Sequence, residues 1–357
     1  MSHCVPPRSD EIEVALMGPG YGESLVLHIG LGEWLIVDSC VDRSGKPAAL
    51  GYLEEIGVDI GRAVEMVVAS HWHADHIGGM AQLVHVCQSA RFCCAGALRS
   101  KEFVAMANAL RTTAVGTAGY DANEIWSVLS HLRERNSHPT WALARRNLLT
   151  RAGCKVTALS PGDDEFSEFV RSSGPHDAAG ATGQAIGTRL TPNRLSVVLW
   201  IQWQDVSVLL GGDLEKRGWR AILQSGYQPP GGASVFKVPH HGSANAHVKE
   251  VWDQMLAPEP VAILAPHSLG RNALPTTDDV RRLRSFTPAV YSTAPPGSRS
   301  RAKLRGSAAK VVRRAGVSIH SARHDMGVIQ LRCPMDGTKP WSVRLSGPAL
   351  HLKDWAA

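Results

Sequence analysis

The sequence has no apolar run near the roughly 20 residues needed to cross a bilayer, and its start, MSHCVPPRSD, lacks a basic stretch leading into an apolar one. A spanning or secreted chain is not expected; a cytoplasmic protein with no membrane partner is. Low-complexity sequence is scarce too. With 44% hydrophobic and 20% charged residues, the chain reads as an ordinary folded protein rather than a disordered one. Paired cysteines are also missing: the seven are odd in number and scattered, and the adjacent Cys93 and Cys94 suit neither a bridge nor a zinc knuckle. Reduced, buried thiols are expected. No linker or repeat divides the 357 residues, which leaves a single domain over 1–357, long enough for a large α/β core.

One local absence bears on partners. Between Arg299 and Arg314 there is no acidic residue, while Arg299, Arg301, Lys303, Arg305, Lys310, Arg313 and Arg314 are basic and follow Arg281, Arg282 and Arg284. This unevenness underlies a modest net charge of +6. Such a run can follow a phosphate backbone through charge attraction and counterion release; a solvated helix face is the plainer reading.

What is present alternates between strand and helix signals. SLVLHI from Ser24 and EWLIVDSC from Glu33 read as a hairpin joined by the GLG glycines. PAALGYLEEIG has helical spacing and ends at a glycine, and AVEMVVAS then reads as a buried strand. From about 98 to 150 the reading is helical, an insertion with a cap-like DANE at Asp121, and the glycine- and serine-rich stretch from Ser172 to Gly187 reads as a loop. LSVVLWIQW and VSVLLGG flank Gln204 and Asp205 as a second hairpin, with Asp213 just after it. SVFKVPHHGS and PVAILAPHS are further strands that end in histidines, and GVIQLRC and WSVRLSG close the chain.

The chemistry concentrates after AVEMVVAS, in VVASHWHADHIGG from Val67 to Gly79. Imidazole nitrogens and carboxylate oxygens are the standard ligands of a borderline-soft divalent ion such as zinc. A loop leaving a strand end can aim His71 and His73 at one ion and Asp75 and His76 at a second, after which Gly78 and Gly79 allow a close turn into a helix. Two such ions can clamp a phosphoryl or acyl oxygen and activate water. Four ligand-type side chains in six positions are hard to read as histidines gathered by chance.

HWHADH resembles the H-x-H-x-D-H signature of the metallo-β-lactamase fold. NRLSVVLWI, VSVLLGGDLE and FKVPHHGS, with GPGYGES and LIVDSC near the start, narrow the resemblance to the metallo-β-lactamase domain of ComEC-type competence DNA-uptake proteins, from Leu16 to about Gly297 apart from the insert. The resemblance implies an α/β fold, an αββα four-layer sandwich, with two divalent metals, zinc or else manganese, at one edge. It makes His71 and His73 first-site ligands, Asp75 and His76 second-site ligands and Asp213 the bridging carboxylate, where the plainer reading is a helix cap. His240 or His241 supplies the last ligand, with His240, the first after the strand, preferred. That leaves His241 with Ser243 to meet a phosphate oxygen or protonate the leaving group, and Asp75, His241 and Ser243 as the catalytic set. Asp38 is expected to orient a ligand histidine, and Asn193 and Ser196 match the family's N-x-x-S. Many relatives carry a further histidine there; this chain has none, and His176 is a weak substitute. The family's later histidine-proline pair is replaced by Leu274 and Pro275, which leaves His267 to contact substrate.

The expected function is metal-dependent phosphodiester hydrolysis by a nuclease acting on DNA or RNA, with nucleic acid met through the basic segment 299–314. A small-molecule phosphodiesterase and a non-catalytic metal-bound module with a protein partner are the alternatives.

Overall fold

Side chains on the central strands alternate between two different cores, and this alternation fixes the layers. In the computed structural model, which describes residues 5–96, 117–172, 192–227, 229–268, 273–297, 300–301, 320–321 and 325–355, the strands are β1 (Glu11–Gly18), β2 (Ser24–Gly30), β3 (Glu33–Val37), β4 (Val64–Val68), β5 (Arg91–Ala95), β6 (Thr140–Ala142), β7 (Asn147–Arg151), β8 (Cys154–Ser160), β9 (Val198–Trp203), β10 (Val206–Leu210), β11 (Ala233–Lys237), β12 (Leu256–Leu264), β13 (Val290–Ser292), β14 (Ser300–Arg301), β15 (His320–Ser321), β16 (Gly327–Pro334), β17 (Ser342–Ser346) and β18 (Leu350–His351). Leu199, Ile201 and Trp203 of β9 and Val206, Val208 and Leu210 of β10 face a core shared with the first sheet. Val198, Trp200 and Leu209 face a second core, formed with the helices 216–224, 249–255 and 277–284. Each such buried side chain contributes roughly 1.5–3 kcal/mol.

Two eight-stranded sheets result among the described residues, in the orders β17-β16-β1-β2-β3-β4-β5-β6 and β18-β13-β12-β11-β10-β9-β8-β7. Their pairing follows one pattern: β1, β2 and β3 form an antiparallel meander and β4, β5 and β6 continue in parallel, just as β8, β9 and β10 are antiparallel and β11, β12 and β13 parallel. Helices 48–55, 80–86 and 117–134 accompany the first sheet and complete the expected helix–sheet–sheet–helix order. Among the described residues, no helix is long and apolar enough to cross a membrane.

Both expected hairpins form, with Gln204 and Asp205 as the two-residue turn between β9 and β10. The cysteines Cys40, Cys87, Cys93, Cys94, Cys154 and Cys333 are free and buried. The expected helical insert over 98–150 needs correction. Thr117–Glu134 is helical, but Thr140–Ala142 and Asn147–Arg151 are strands at the margins of the two sheets, β6 beside β5 and β7 beside β8. For β6, pairing with the distant β5 overrides local propensity, and a three-residue strand leaves no period to read; β7 instead folds back on the next strand, Arg151 opposite Cys154. Asp121 lies within the helix from Thr117, so DANE is no cap. Residues 98–116 of the insert, the loop after Ser172 with His176, and Arg299, Lys303, Arg305, Lys310, Arg313 and Arg314 lie outside the described residues; Arg301 lies in β14.

Candidate metal centre

Four strand ends at one edge of the two sheets carry the site. β3 delivers Asp38, β4 the loop with His71, His73, Asp75 and His76, β10 delivers Asp213, and β11 the turn with His240 and His241. Asp213 precedes, rather than caps, the helix Lys216–Gln224, whose cap position is Glu215. Among the described residues, three overlapping groups of buried potential ligands form, all sharing His76: with His71 and Asp213, with Asp75 and His241, and with Glu23 and Asp38.

Three of the imidazoles have their proton positions fixed by their surroundings. His241 Nδ1 donates to the Ala265 carbonyl oxygen at 2.9 Å, and His76 Nδ1 to Asp38 Oδ2 at 2.8 Å. The Ser70 hydroxyl donates to Asp38 Oδ2 at 2.7 Å, so at 3.1 Å it accepts from His71 Nδ1. Asp38, with a φ of 59°, also accepts from the Ser70 N–H at 2.7 Å, and thereby orients two ligand-type histidines at once.

Each Nε2 is left facing carboxylate oxygens. His76 Nε2 lies 3.4 Å from Asp213 Oδ1 and 3.8 Å from Asp75 Oδ2, His241 Nε2 3.2 Å from Asp75 Oδ2 and 3.6 Å from Asp213 Oδ2, and His71 Nε2 3.9 Å from Asp213 Oδ2. Buried His76 Nε2 and Asp213 Oδ1 have no hydrogen-bond partner. Lone pairs facing lone pairs in a buried site require positive charge between them, from protons or a cation. The donor set of imidazole nitrogens and carboxylate oxygens suits a divalent cation.

Without a cation, protons take part of that role. Burial lowers the proton affinity of His76, but Asp213, Asp75, Glu23 and Asp38 outweigh it and hold its pKa well above the ordinary value. His241 is raised in the same way, against burial, by Asp213 and Asp75. For His71, burial and the neighbouring His76 and His73 prevail and its pKa falls well below the ordinary value. Burial opposes ionisation of Asp75 and Asp213, yet the histidines hold both well below the usual carboxylate range.

The family model of the metallo-beta-lactamase superfamily matches residues 17–267, well over half of the chain. The chain belongs to the metallo-β-lactamase superfamily. That superfamily consists mostly of metal-dependent hydrolases, and its fold implies divalent metal ions, for which the His/Asp groups here are candidate sites. Among solved structures, the chain is similar to the metallo-beta-lactamase fold protein YhfI from Bacillus subtilis, at 13% identity and a TM-score of 0.41, over 79% of this chain and 95% of that one. It is also similar to the E377D mutant of CmlA beta-hydroxylase, at 15% identity and a TM-score of 0.36, over 65% of this chain and 36% of that one. No curated protein matches.

Within this metallo-β-lactamase site, the preference for His240 over His241 needs correction. It is His241 that joins Asp75 and His76, while His240 Nε2 lies 3.5 Å from Asn193 Nδ2. Both residues have left-handed backbones, φ 49° and 53°, followed by Gly242 at 85°, so the chain turns between them and sends the two rings to different neighbours. Ser243 caps the turn Ala244–Ala246 by accepting from the Asn245 N–H, and lines a small cavity with Trp219 and Trp252. The proton-donor role expected of Ser243 finds no counterpart in these contacts. His73 Nδ1 lies 3.1 Å from His71 Nε2. Ser196 Oγ accepts from the Asp213 N–H at 3.2 Å, which ties the N-x-x-S segment to that carboxylate. His267, its side chain 28% exposed, lies at the rim with Nε2 3.8 Å from Asp75 Oδ2, and pairs through its backbone with Leu274.

Glu23, Ser70 and Lys237 escaped the sequence reading. Glu23 is wholly buried, with Oε1 3.5 Å from His76 Nδ1. Lys237 is 1% exposed, forms an ion pair with Glu23, and lies 3.9 Å from Asp213 Oδ1. Burial lowers the lysine pKa, but Glu23 and Asp213 outweigh it and leave the value raised. The signal for Lys237 was available: it falls two residues after core-facing Val235, on the inward face of β11.

Proposed function

We propose that this chain is a metal-dependent phosphodiester hydrolase that cleaves nucleic acid, similar in kind to the metallo-β-lactamase domain of ComEC-type proteins. The observation that carries the reading is the convergence of three imidazole Nε2 atoms, each with Nδ1 committed elsewhere, on Asp75 and Asp213. His71, His73 and Asp213 would hold one ion, and Asp75, His76, His241 and Asp213 a second, zinc or else manganese. When bound, the ions supply Lewis acidity at a phosphoryl oxygen. Asp38 and Ser70 keep the histidine protons away from the cluster, and Ser196 holds the backbone of Asp213. His267, at the rim and beside Leu274, is the group that meets a phosphate oxygen or protonates the leaving group. Support for nucleic acid as substrate comes from the basic run Arg299 to Arg314 and the shared downstream motifs.

The cavity between Trp72 of the ligand loop and Ile125, Val128 and Leu129 of the insert helix measures about 30 Å³, room for a water but far below a nucleotide. The test is incubation with single-stranded DNA, double-stranded DNA and RNA, with zinc or manganese and with chelator. Cleavage that requires metal, disappears in Asp213→Asn, and weakens steeply with salt is expected. Metal uptake without cleavage of any of the three would overturn the nuclease reading.

A further inference from the structure

A buried lysine at a site rich in carboxylates needs a reason, since an ion taken out of water costs several kcal/mol unless its partners replace the lost hydration. Lys237 ends β11 on the face turned toward the other sheet, and its Nζ donates to the carbonyl oxygen of Gly212 at 3.0 Å, immediately before Asp213. The same ammonium pairs with Glu23, which precedes β2 of the first sheet. No other hydrogen-bond donor among the described residues reaches the Glu23 oxygens. The Glu23 backbone N–H donates to the carbonyl oxygen of Asp75 at 2.9 Å, and its carboxylate lies 3.5 Å from His76 and 3.9 Å from His241. The turn presses against the ligand loop: a Cβ at Gly22, whose φ is 86°, would come within 3.1 Å of the Asp75 carbonyl oxygen.

Glu23 is thus fastened to the half of the centre that carries Asp75 and His76, and Lys237 to the half that carries Asp213. We infer that the Glu23–Lys237 pair is an internal clamp across the two sheets that sets the spacing between the two halves of the metal centre. The inference rests on the metal-centre reading of the cluster. Both are positioning residues that act through Asp75, His76 and Asp213.

An uncharged pair of similar volume would still join the sheets but would leave the Gly212 carbonyl oxygen without the ammonium. The two roles therefore separate when both charges are removed. Wild type, Lys237→Met, Glu23→Gln and the double variant are compared by thermal unfolding of the metal-free protein and by zinc affinity in chelator competition. Each single substitution leaves one buried charge unpaired and is expected to lower both the unfolding temperature and zinc affinity. The double variant is expected to recover the unfolding temperature of the metal-free wild type yet still bind zinc roughly 10–100-fold more weakly, the range for groups that orient metal ligands. A double variant, or a folded Lys237→Met, with wild-type zinc affinity and stoichiometry overturns the clamp. Absence of zinc from wild type itself would instead overturn the metal-centre reading, which keeps the two failures apart.

Discussion

His240 and His241 are chemically identical neighbours, and only the backbone tells them apart. His241 sends Nε2 between Asp75 and Asp213, so His241→Ala is expected to lose metal by elemental analysis and at least about 100-fold in activity, whereas His240→Ala retains its metal. The sequence offered both because the choice depends on two successive left-handed residues, which no side-chain pattern announces. The ligand loop, by contrast, was legible because all four of its ligand types sit together at a strand end. Protonation gives a further test. His76 and His241 are held above the ordinary imidazole value in the metal-free protein, and both must release the Nε2 proton to ligate. Zinc affinity measured across neutral to mildly alkaline pH should therefore rise with pH, with protons released to the buffer on binding. The stability that these two imidazoliums give the metal-free protein has the opposite trend. It is fully present below about 6.5, the unfolded value, and is lost as pH rises through the raised folded values. A pH-independent affinity would contradict the arrangement.

Elements beyond the ligand loops hold the turn at His241. Arg282, on the helix Thr277–Arg284, donates to the Gly242 carbonyl oxygen at 2.6 Å and to Asp279 at 2.7 Å, and Asp279 forms a capping box with Thr276. Burial alone would raise the Asp279 pKa, but hydrogen bonds from Thr276 and Arg282 lower it below the usual value. Asp279→Ala is expected to cost about 1 kcal/mol at neutral pH in chemical denaturation. That difference should be fully present above about pH 4, the unfolded value, and fade as pH falls through the lower folded one. Strands with strong alternation, such as β9 and β10, were readable in advance because each face meets its own core. β6 and β7 were not: β6 has three residues and takes its conformation from β5, where Thr140 faces Cys93 far back in the chain, and β7 is a short marginal strand of a tight hairpin with β8 whose burial does not alternate.

At the scale of the whole molecule, the repeated pairing pattern gives corresponding strand ends to the centre: β3 and β4 from one sheet, β10 and β11 from the other. A cation gripped by Asp75, His76, His241 and Asp213 would therefore tie the two sheets to each other. A ligand at 1,000 times its dissociation constant stabilises a fold by about 4 kcal/mol, so zinc should raise the unfolding temperature by several degrees in calorimetry, and Asp213→Asn should abolish most of that rise. The four-layer arrangement was implied by the resemblance that HWHADH and the downstream motifs carry, whereas the Glu23–Lys237 pair was not legible, because its partners are more than 200 positions apart. The run His240, His241 and Gly242, at φ 49°, 53° and 85°, has a final consequence. Left-handed backbone at a residue with a side chain costs about 1–2 kcal/mol, so this corner keeps its shape only while neighbours hold it. Chelation should loosen it ahead of everything else, and amide deuterium uptake in stripped protein should quicken at Gly242 and Ser243 while β11 stays protected.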